Sequence, residues 1–244
     1  MDSKQFSSLF TKLIGQNKTG VSVNFDKVDK FFRLTERMLT ENEKYNLTAI
    51  TDPPRMIVLH YLDSLTLSPY LKKGAKVADI GTGAGFPALP LAICREDLDV
   101  WAFDATEKRV RYVEETARML SLSNLTAQTL RAEAGAKDAA LRERFDAVTA
   151  RGVAQLRVLC EYCLPYVKVG GRFLAMKGQS AQGEVSEAKR AIAMLGGRFV
   201  EIVPTPLVDE KGEKVEHNLV IIEKIAKTNA QYPRENNQIL KKPL

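Results

Sequence analysis

The chain is poor in the residues that build disulfide frameworks and metal sites. Its 244 residues include three cysteines and two histidines. Cys160 and Cys163 form a Cys-x-x-Cys pair, but no second pair of Cys or His stands at ligand spacing, so we expect neither a metal nor a disulfide framework. Both follow the apolar spacing of a helix, and a free cysteine packs as a small hydrophobic side chain. We therefore expect Cys160 and Cys163 to be packing residues.

The chain also lacks a long apolar run. No stretch approaches the roughly 18 apolar residues that a membrane span needs, and residues 1–6 contain no continuous apolar segment typical of export signals. We expect no membrane attachment and a reducing, cytoplasmic location.

A strong excess of one charge is absent, since the net charge is only +6. Its distribution is uneven: residues 1–75 hold 11 Lys and Arg against 8 Asp and Glu, residues 76–223 hold 20 against 21, and residues 224–244 hold 5 against 1. Both ends are therefore basic. This excess can serve solubility alone, or it can bind an anionic macromolecule.

The first part of the chain predicts helices only. Apolar residues recur at i, i+3 and i+4 in segments 6–14 and 28–39, and Asn24 or Asp26 can cap the second. A third helix begins at Pro53 and is expected to end before Pro69. We assign residues 1–73 to a helical N-terminal extension.

The pattern changes at residue 76 to short apolar runs that alternate with helical segments. Such alternation is typical of an α/β domain with a doubly wound, largely parallel sheet. The last two strands, 198–206 and 218–224, are joined by a short polar turn and should pair antiparallel. We assign residues 74–225 to this seven-stranded Rossmann-like domain and residues 226–244 to a basic tail.

A glycine-rich turn follows the first strand and indicates a nucleotide-like cofactor. Asp79 precedes Gly81, Gly83 and Gly85 at alternate positions, and glycine lets the backbone turn sharply and approach a ligand closely. Asp104 ends the next strand 23 residues after Gly81, where a carboxylate can accept both ribose hydroxyls. The alternative is that both aspartates only cap the turns that follow them.

Two cofactor classes fit such a turn. In the dinucleotide pattern G-x-G-x-x-G the third glycine comes one position later than it does here, and a nicotinamide-binding domain continues in parallel units. The reversed last strand is characteristic of the class I S-adenosylmethionine-dependent methyltransferase fold, which we predict. A nicotinamide oxidoreductase is the disfavoured alternative.

Short motifs distributed from about residue 45 to residue 244 carry a more specific resemblance. The motifs are Tyr45-Asn46-Leu47-Thr48, His60-Tyr61-Leu62-Asp63-Ser64, the run from Asp79 to Pro87, Lys108-Arg109, Arg131-Ala132-Glu133, Ala150-Arg151-Gly152, Lys177-Gly178, Asn218-Leu219-Val220-Ile221 and Tyr232-Pro233-Arg234. With these motifs in this order and spacing, the chain resembles the bacterial 16S rRNA guanine-N7 methyltransferase family, known as RsmG or GidB.

The resemblance implies roles for individual residues. Gly81 and Phe86 would line the bound S-adenosyl-L-methionine, and Ala132 and Glu133 would flank its adenine. Arg151 would lie near its methionine end as cofactor-binding and catalytic residue. Independent of the resemblance, Arg151 follows the fourth strand at the edge where a doubly wound sheet binds its ligands.

Basic residues near the chain end and after the fifth strand are predicted to contact RNA. These are Lys177, Arg234, Lys241 and Lys242. For Lys177 a structural role at the strand end is an equal alternative. The helix containing Lys108, Arg109 and Arg111 is expected to present them to solvent.

His60 and Asp63 lie one helical turn apart in the third predicted helix. We expect a hydrogen bond between them that anchors the helical extension to the sheet. The less favoured alternative is a proton relay.

The implied reaction is methyl transfer to guanine N7 in 16S rRNA, as naked RNA or in the small ribosomal subunit, by a monomer. N7 is unprotonated near neutral pH, so no general base is needed, and the chain has no Asn-Pro-Pro-Tyr motif for exocyclic amines. Because the major groove of A-form RNA is deep and narrow, we expect an unpaired target base. A small-molecule methyltransferase and a non-catalytic RNA-binding protein remain as alternatives.

Overall fold

A seven-stranded sheet forms the centre of the computed structural model, which describes residues 1–244. Its strands are β1 (Lys76–Ile80), β2 (Asp99–Asp104), β3 (Leu125–Thr129), β4 (Phe145–Arg151), β5 (Val167–Lys177), β6 (Gly197–Pro204) and, after the small hairpin β7 (Leu207–Val208) and β8 (Lys214–Val215), β9 (Asn218–Lys224). The order across the sheet is β3-β2-β1-β4-β5-β9-β6. This order reverses at β1 and β4, and the carboxyl ends of these two strands border the site described below.

One strand of the sheet runs against the others. β9 pairs antiparallel with β5 and with β6, whereas every other neighbouring pair is parallel. The predicted doubly wound sheet with a reversed last strand is therefore confirmed. The segment between β6 and β9 is more than the predicted polar turn, because β7 and β8 form a hairpin in which Leu207 is buried.

Helices cover both faces of the sheet. They are α1 (Ser3–Gln16), α2 (Phe25–Tyr45), α3 (Pro53–Met56), α4 (Asp63–Leu65), α5 (Ala88–Cys94), α6 (Glu107–Met119), α7 (Ala132–Gly135), α8 (Leu156–Cys163), α9 (Ala181–Met194) and α10 (Asn236–Lys241). Successive strand residues face opposite sides, so Val77 joins the core under α1, α2, α5 and α6, while Ala78 joins the core under α8 and α9. No helix combines the length and apolar composition needed to span a bilayer.

The helical N-terminal region packs into the first of these cores. Asn24 caps α2 through a 3.0 Å hydrogen bond from the Lys27 N–H, as predicted. The third helix differs from the prediction, because α3 and α4 are joined by a π-helical turn, Ile57–Leu62, and the helix ends at Leu65. π-Helical turns occur often at functional sites, and this one carries His60.

The C-terminal tail is bound to the domain along α8. The Arg142 guanidinium donates to the carbonyl oxygens of Thr228 and Tyr232, each at 2.8 Å. Ile239 of α10 is fully buried in the second core. The tail therefore contributes fixed residues to the surface of the sheet domain.

Candidate functional site

A cavity of about 510 Å³ opens at the carboxyl ends of β1, β2 and β4. This is the edge at which doubly wound sheets bind ligands. The predicted site residues that line it are Gly81, Gly83, Phe86, Asp104, Ala132, Glu133 and Arg151. The structure thus brings together residues that lie up to 70 positions apart in the sequence.

The glycine turn forms one wall of the cavity. Gly81 and Gly83 have φ angles of +75° and +58°, in the left-handed region that favours glycine. A Cβ atom at Gly81 would lie 2.6 Å from the Val153 side chain, whereas Gly83 has no such neighbour within 3.9 Å and presents bare backbone. Gly85 does not line the cavity: a Cβ atom there would lie 2.4 Å from Leu89, so its role is the packing of the turn on α5.

Asp104 connects the glycine turn to the start of α6. Its two carboxylate oxygens accept hydrogen bonds from the N–H of Gly83 at 3.0 Å and of Thr106 at 2.8 Å. Arg109 of α6 is exposed to solvent as expected, and it also lies 3.7 Å from the same carboxylate and lines the cavity. Each oxygen keeps a lone pair, because it accepts a single backbone hydrogen bond.

Asp79 lies behind the glycine turn and is almost fully buried. Neither of its oxygens has a hydrogen-bond partner, and the hydroxyl of the neighbouring Thr82 has none either. Burial raises the pKa of Asp79 from 3.8 to about 7, although the nearby Thr82 hydroxyl, the positive charge of Arg151 and the Ala88 N–H oppose that rise. Asp79 and Thr82 are therefore neighbouring buried polar groups with no hydrogen bond of good geometry, and Thr82 lines the cavity.

The opposite end of the cavity contains the residues predicted to flank adenine. The hydroxyl of Tyr166 donates to the carbonyl of Ala132 at 2.7 Å and fixes the start of α7. Glu133 is buried. Tyr162 and Asn236 also line this end and are hydrogen-bonded to each other; the sequence offered no signal for them, since 74 residues separate them.

Arg151 is held at the end of β4 by the helical N-terminal region. Its Nη1 donates to the carbonyl of Leu59 at 2.8 Å and to the carboxylate of Asp63 at 2.9 Å. The guanidinium also lies over the ring of Phe86, 5.3 Å from the centroid, where a cation is attracted to the aromatic face. The side chain is therefore fixed before any ligand binds.

The predicted hydrogen bond between His60 and Asp63 is not formed. Asp63 binds Arg151 and, through its other oxygen, Nδ1 of His217 at 2.6 Å. The anchoring role expected for Asp63 is met through these two partners, because they belong to β4 and to the residue before β9.

His60 instead stacks on an aromatic ring. Its imidazole lies parallel to Phe86, with ring centroids 4.5 Å apart, and Nε2 is 2.9 Å from the hydroxyl of Thr48. Burial, and secondarily the charge of Arg151, lower the pKa of His60 to about 4. The ring is neutral at physiological pH, which does not favour the proton-relay alternative.

The residues predicted to contact RNA fall into two groups. Lys177 is half-buried and paired with Glu184 at 2.6 Å, and Arg234 is paired with the fully buried Glu161. Lys241 and Lys242 are both exposed. Lys177 and Arg234 therefore already make ion pairs within the chain, whereas Lys241 and Lys242 are accessible to a phosphate.

The side chains carry no metal centre. No group of three or more His, Cys, Asp or Glu residues is placed to hold an ion, and Cys160 and Cys163 are buried free thiols in the second core. The polar groups that line the cavity include glycine backbone, the Asp104 carboxylate and the fixed Arg151.

Comparison with known proteins identifies relatives of the whole chain. A family model described as GidB, rRNA small subunit methyltransferase G, matches residues 27–210. The chain is 41% identical over 230 residues to ribosomal RNA small subunit methyltransferase G of Clostridium perfringens (strain SM101 / Type A), covering 93% of this chain and 95% of that protein. It is 39% identical to the protein of that name from Acetivibrio thermocellus, over the full length of both.

Solved structures with similar folds are more distant in sequence. An S-adenosylmethionine-dependent methyltransferase from Aquifex aeolicus superposes with a TM-score of 0.52 at 20% identity, over 75% of this chain and 97% of that one. TYW2 of M. jannaschii, solved in complex with AdoMet, gives 0.53 at 15% identity, over 67% and 75%. These likenesses show the fold.

Proposed function

This chain belongs to the GidB family of rRNA small subunit methyltransferases G, and on that premise we propose that it transfers a methyl group from S-adenosyl-L-methionine to N7 of a guanine in 16S ribosomal RNA. The observation that carries the proposal is the cavity at the end of β1, β2 and β4. It is lined by bare glycine backbone at Gly83 and by the Asp104 carboxylate, whose oxygens each keep a lone pair.

The residues present fit S-adenosyl-L-methionine. Asp104 has spare lone pairs for the ribose hydroxyls, and Gly83 leaves room for the ligand against the backbone. Asp79 is a buried carboxyl group directly behind the glycine turn, and a positively charged amino group of the cofactor nearby would favour its ionised form. Ala132 and Glu133 lie at the end assigned to adenine.

The chain's contribution to the reaction is alignment. When bound, S-adenosyl-L-methionine supplies a methyl group on a positively charged sulfur, which the in-plane lone pair of guanine N7 can displace without loss of a proton. Arg151 is fixed by Asp63, Leu59 and Phe86, so it can shape the space in which N7 approaches. Holding reactants in a near-attack geometry contributes much of the rate enhancement in such transfers.

The RNA substrate is expected to present an unpaired guanine. In an A-form helix N7 faces a groove that side chains cannot read. The exposed Lys241 and Lys242 on the tail can bind backbone phosphates beside the site. We propose that these lysines, rather than Lys177 and Arg234, supply the basic contacts, because the latter two are paired internally.

Methyl transfer from labelled cofactor tests the proposal. The protein is incubated with naked 16S rRNA and, separately, with small subunits, and the digested RNA is analysed for modified nucleosides. We expect N7-methylguanosine in at least one reaction and none with the Gly83→Val variant, whose side chain fills the cofactor space. A different methylated nucleoside would refute the assignment of the acceptor.

A second experiment tests the acceptor atom with an RNA that carries 7-deazaguanine at the target position. It keeps the Watson–Crick edge and should bind, yet it should accept no methyl group. At saturating cofactor the chemical step should show no rising limb near neutral pH, because no group must first lose a proton. Methylation of the deaza substrate would require another acceptor atom and a general base.

A further inference from the structure

A second cavity of about 270 Å³ lies beside the first, at the ends of β4, β5 and β9. Arg151 and Gly152 line both cavities. Its volume is slightly below the ~300 Å³ at which pockets for drug-sized ligands begin, so it suits a single nucleobase. Most of the residues that line it have polar side chains, and His217 is one of them.

His217 is held rigidly at this cavity. It lies immediately before β9, and its carbonyl accepts a 2.8 Å hydrogen bond from the N–H of Thr205. Its side chain is 26% exposed, and Nδ1 is 2.6 Å from the carboxylate of Asp63. A carboxylate only accepts hydrogen bonds, so Nδ1 carries a proton and Nε2 is the ring atom left for a ligand.

The charges around His217 favour the imidazolium form. The hydrogen bond to Asp63 raises the pKa of His217, against the opposing effects of burial and of Arg151. The third charged group of the cavity, Lys177, is already committed to Glu184 and to the carbonyl of Ala154. In the charged form both ring nitrogens donate, so Nε2–H is a donor of the cavity that no group of the chain occupies.

Guanine and adenine differ at the atom next to N7. Guanine presents the acceptor O6 there, whereas adenine presents the N6 amino donor. An enzyme that methylates N7 cannot occupy N7 with a hydrogen bond, so a donor placed at O6 is the means left on that edge to distinguish the two bases. A single donor at O6 also leaves the N7 lone pair in the ring plane free.

We propose that the second cavity receives the target guanine and that His217 selects it by donating a hydrogen bond from Nε2 to O6. The inference rests on the proposed function and deepens it, since it names the group that reads the base. His217 is a specificity residue in this account. Asp63 is a positioning residue that fixes both His217 and Arg151.

The test compares two substrates in two proteins. One RNA carries guanine at the target and the other 2-aminopurine, which keeps N7 but lacks O6. For the wild type we expect kcat/KM to be about ten- to a hundred-fold higher for guanine, as for loss of a charge-assisted hydrogen bond. The reference is the ratio of the rates at which the two bases react without recognition of O6. In His217→Leu the preference for guanine should fall to within about three-fold of that ratio. The rate on the 2-aminopurine RNA should stay the same, because that base has no O6 to lose contact with.

Two further variants separate recognition from folding. His217→Arg keeps a donor and should retain most of the guanine preference, and Glu216→Gln, a neighbouring exposed change, should retain all of it. Cofactor affinity and thermal unfolding of each variant establish that it is folded. As pH rises through the pKa of His217, the preference should decline in the wild type and stay flat in His217→Leu.

Several results would overturn the inference. If His217→Leu slows both substrates equally, His217 acts only by supporting Asp63 and Arg151, and if the preference is unchanged, another group reads O6. Either outcome leaves the proposed function intact, because the wild type still forms N7-methylguanosine. If the wild type forms none, the proposed function fails and this inference fails with it.

Discussion

Replacement of Asp79 by asparagine should stabilise the free protein while weakening its cofactor binding. The side chain is buried without a partner for either oxygen, and burial raises its pKa from 3.8 to about 7. This difference in pKa corresponds to at most about 4 kcal/mol at alkaline pH. Asparagine removes the buried charge but stays polar and still needs hydrogen-bond partners, so we expect a smaller gain of about 1–3 kcal/mol from Asp79→Asn.

The stability difference between Asp79→Asn and the wild type depends on pH. Because the folded-state pKa of Asp79 lies above its unfolded value, the carboxyl group favours folding below about 3.8, and that contribution is lost as pH rises through about 7. The advantage of Asp79→Asn over the wild type should therefore grow from about pH 4 to pH 7 and then level off. At pH 8 thermal unfolding should shift upward by roughly 2–4 °C for each kcal/mol gained.

Calorimetry and thermal unfolding with and without S-adenosyl-L-methionine measure both effects. We expect the variant to bind the cofactor roughly ten- to a hundred-fold more weakly, because an ion pair is replaced by a neutral contact. Asp99→Asn is the matched control, since Asp99 is an exposed carboxylate on β2, and it should change neither quantity. Equal stability of Asp79→Asn and wild type at pH 8, or unchanged cofactor affinity, would refute the reasoning.

Two further substitutions probe the remaining contacts. Asp104→Ala should weaken S-adenosyl-L-methionine binding by about 1.5–3 kcal/mol, and wild-type affinity in a calorimetric titration would remove Asp104 from the cofactor site. Joint replacement of Lys241 and Lys242 by glutamine should reduce the slope of log RNA affinity against log salt by about 1.5, since each phosphate contact contributes ~0.7–0.9. The same change at the exposed Lys189 and Arg190 of α9 should leave that slope unaltered, and an equal effect of both pairs would argue against specific tail contacts.

The sheet and the glycine turn were predictable because their determinants are local. Strand periodicity, the glycine turn at Gly81 and Gly83 and the acidic end of β2 at Asp104 each depend on a few neighbouring residues. The fold class and the reversed last strand followed from these local patterns. The hairpin β7–β8 was not predicted, because two strands of two residues each leave almost no periodicity to read.

The partners of the buried charges were decided only by tertiary structure. Sequence spacing suggested that Asp63 pairs with His60 one turn away, yet its carboxylate binds Arg151 and His217, which lie 88 and 154 residues farther along the chain. The glycine turn could be read from the sequence because backbone conformation is set by adjacent residues. Which charges meet is set by sheet order and helix docking, and these bring together residues that no local pattern connects.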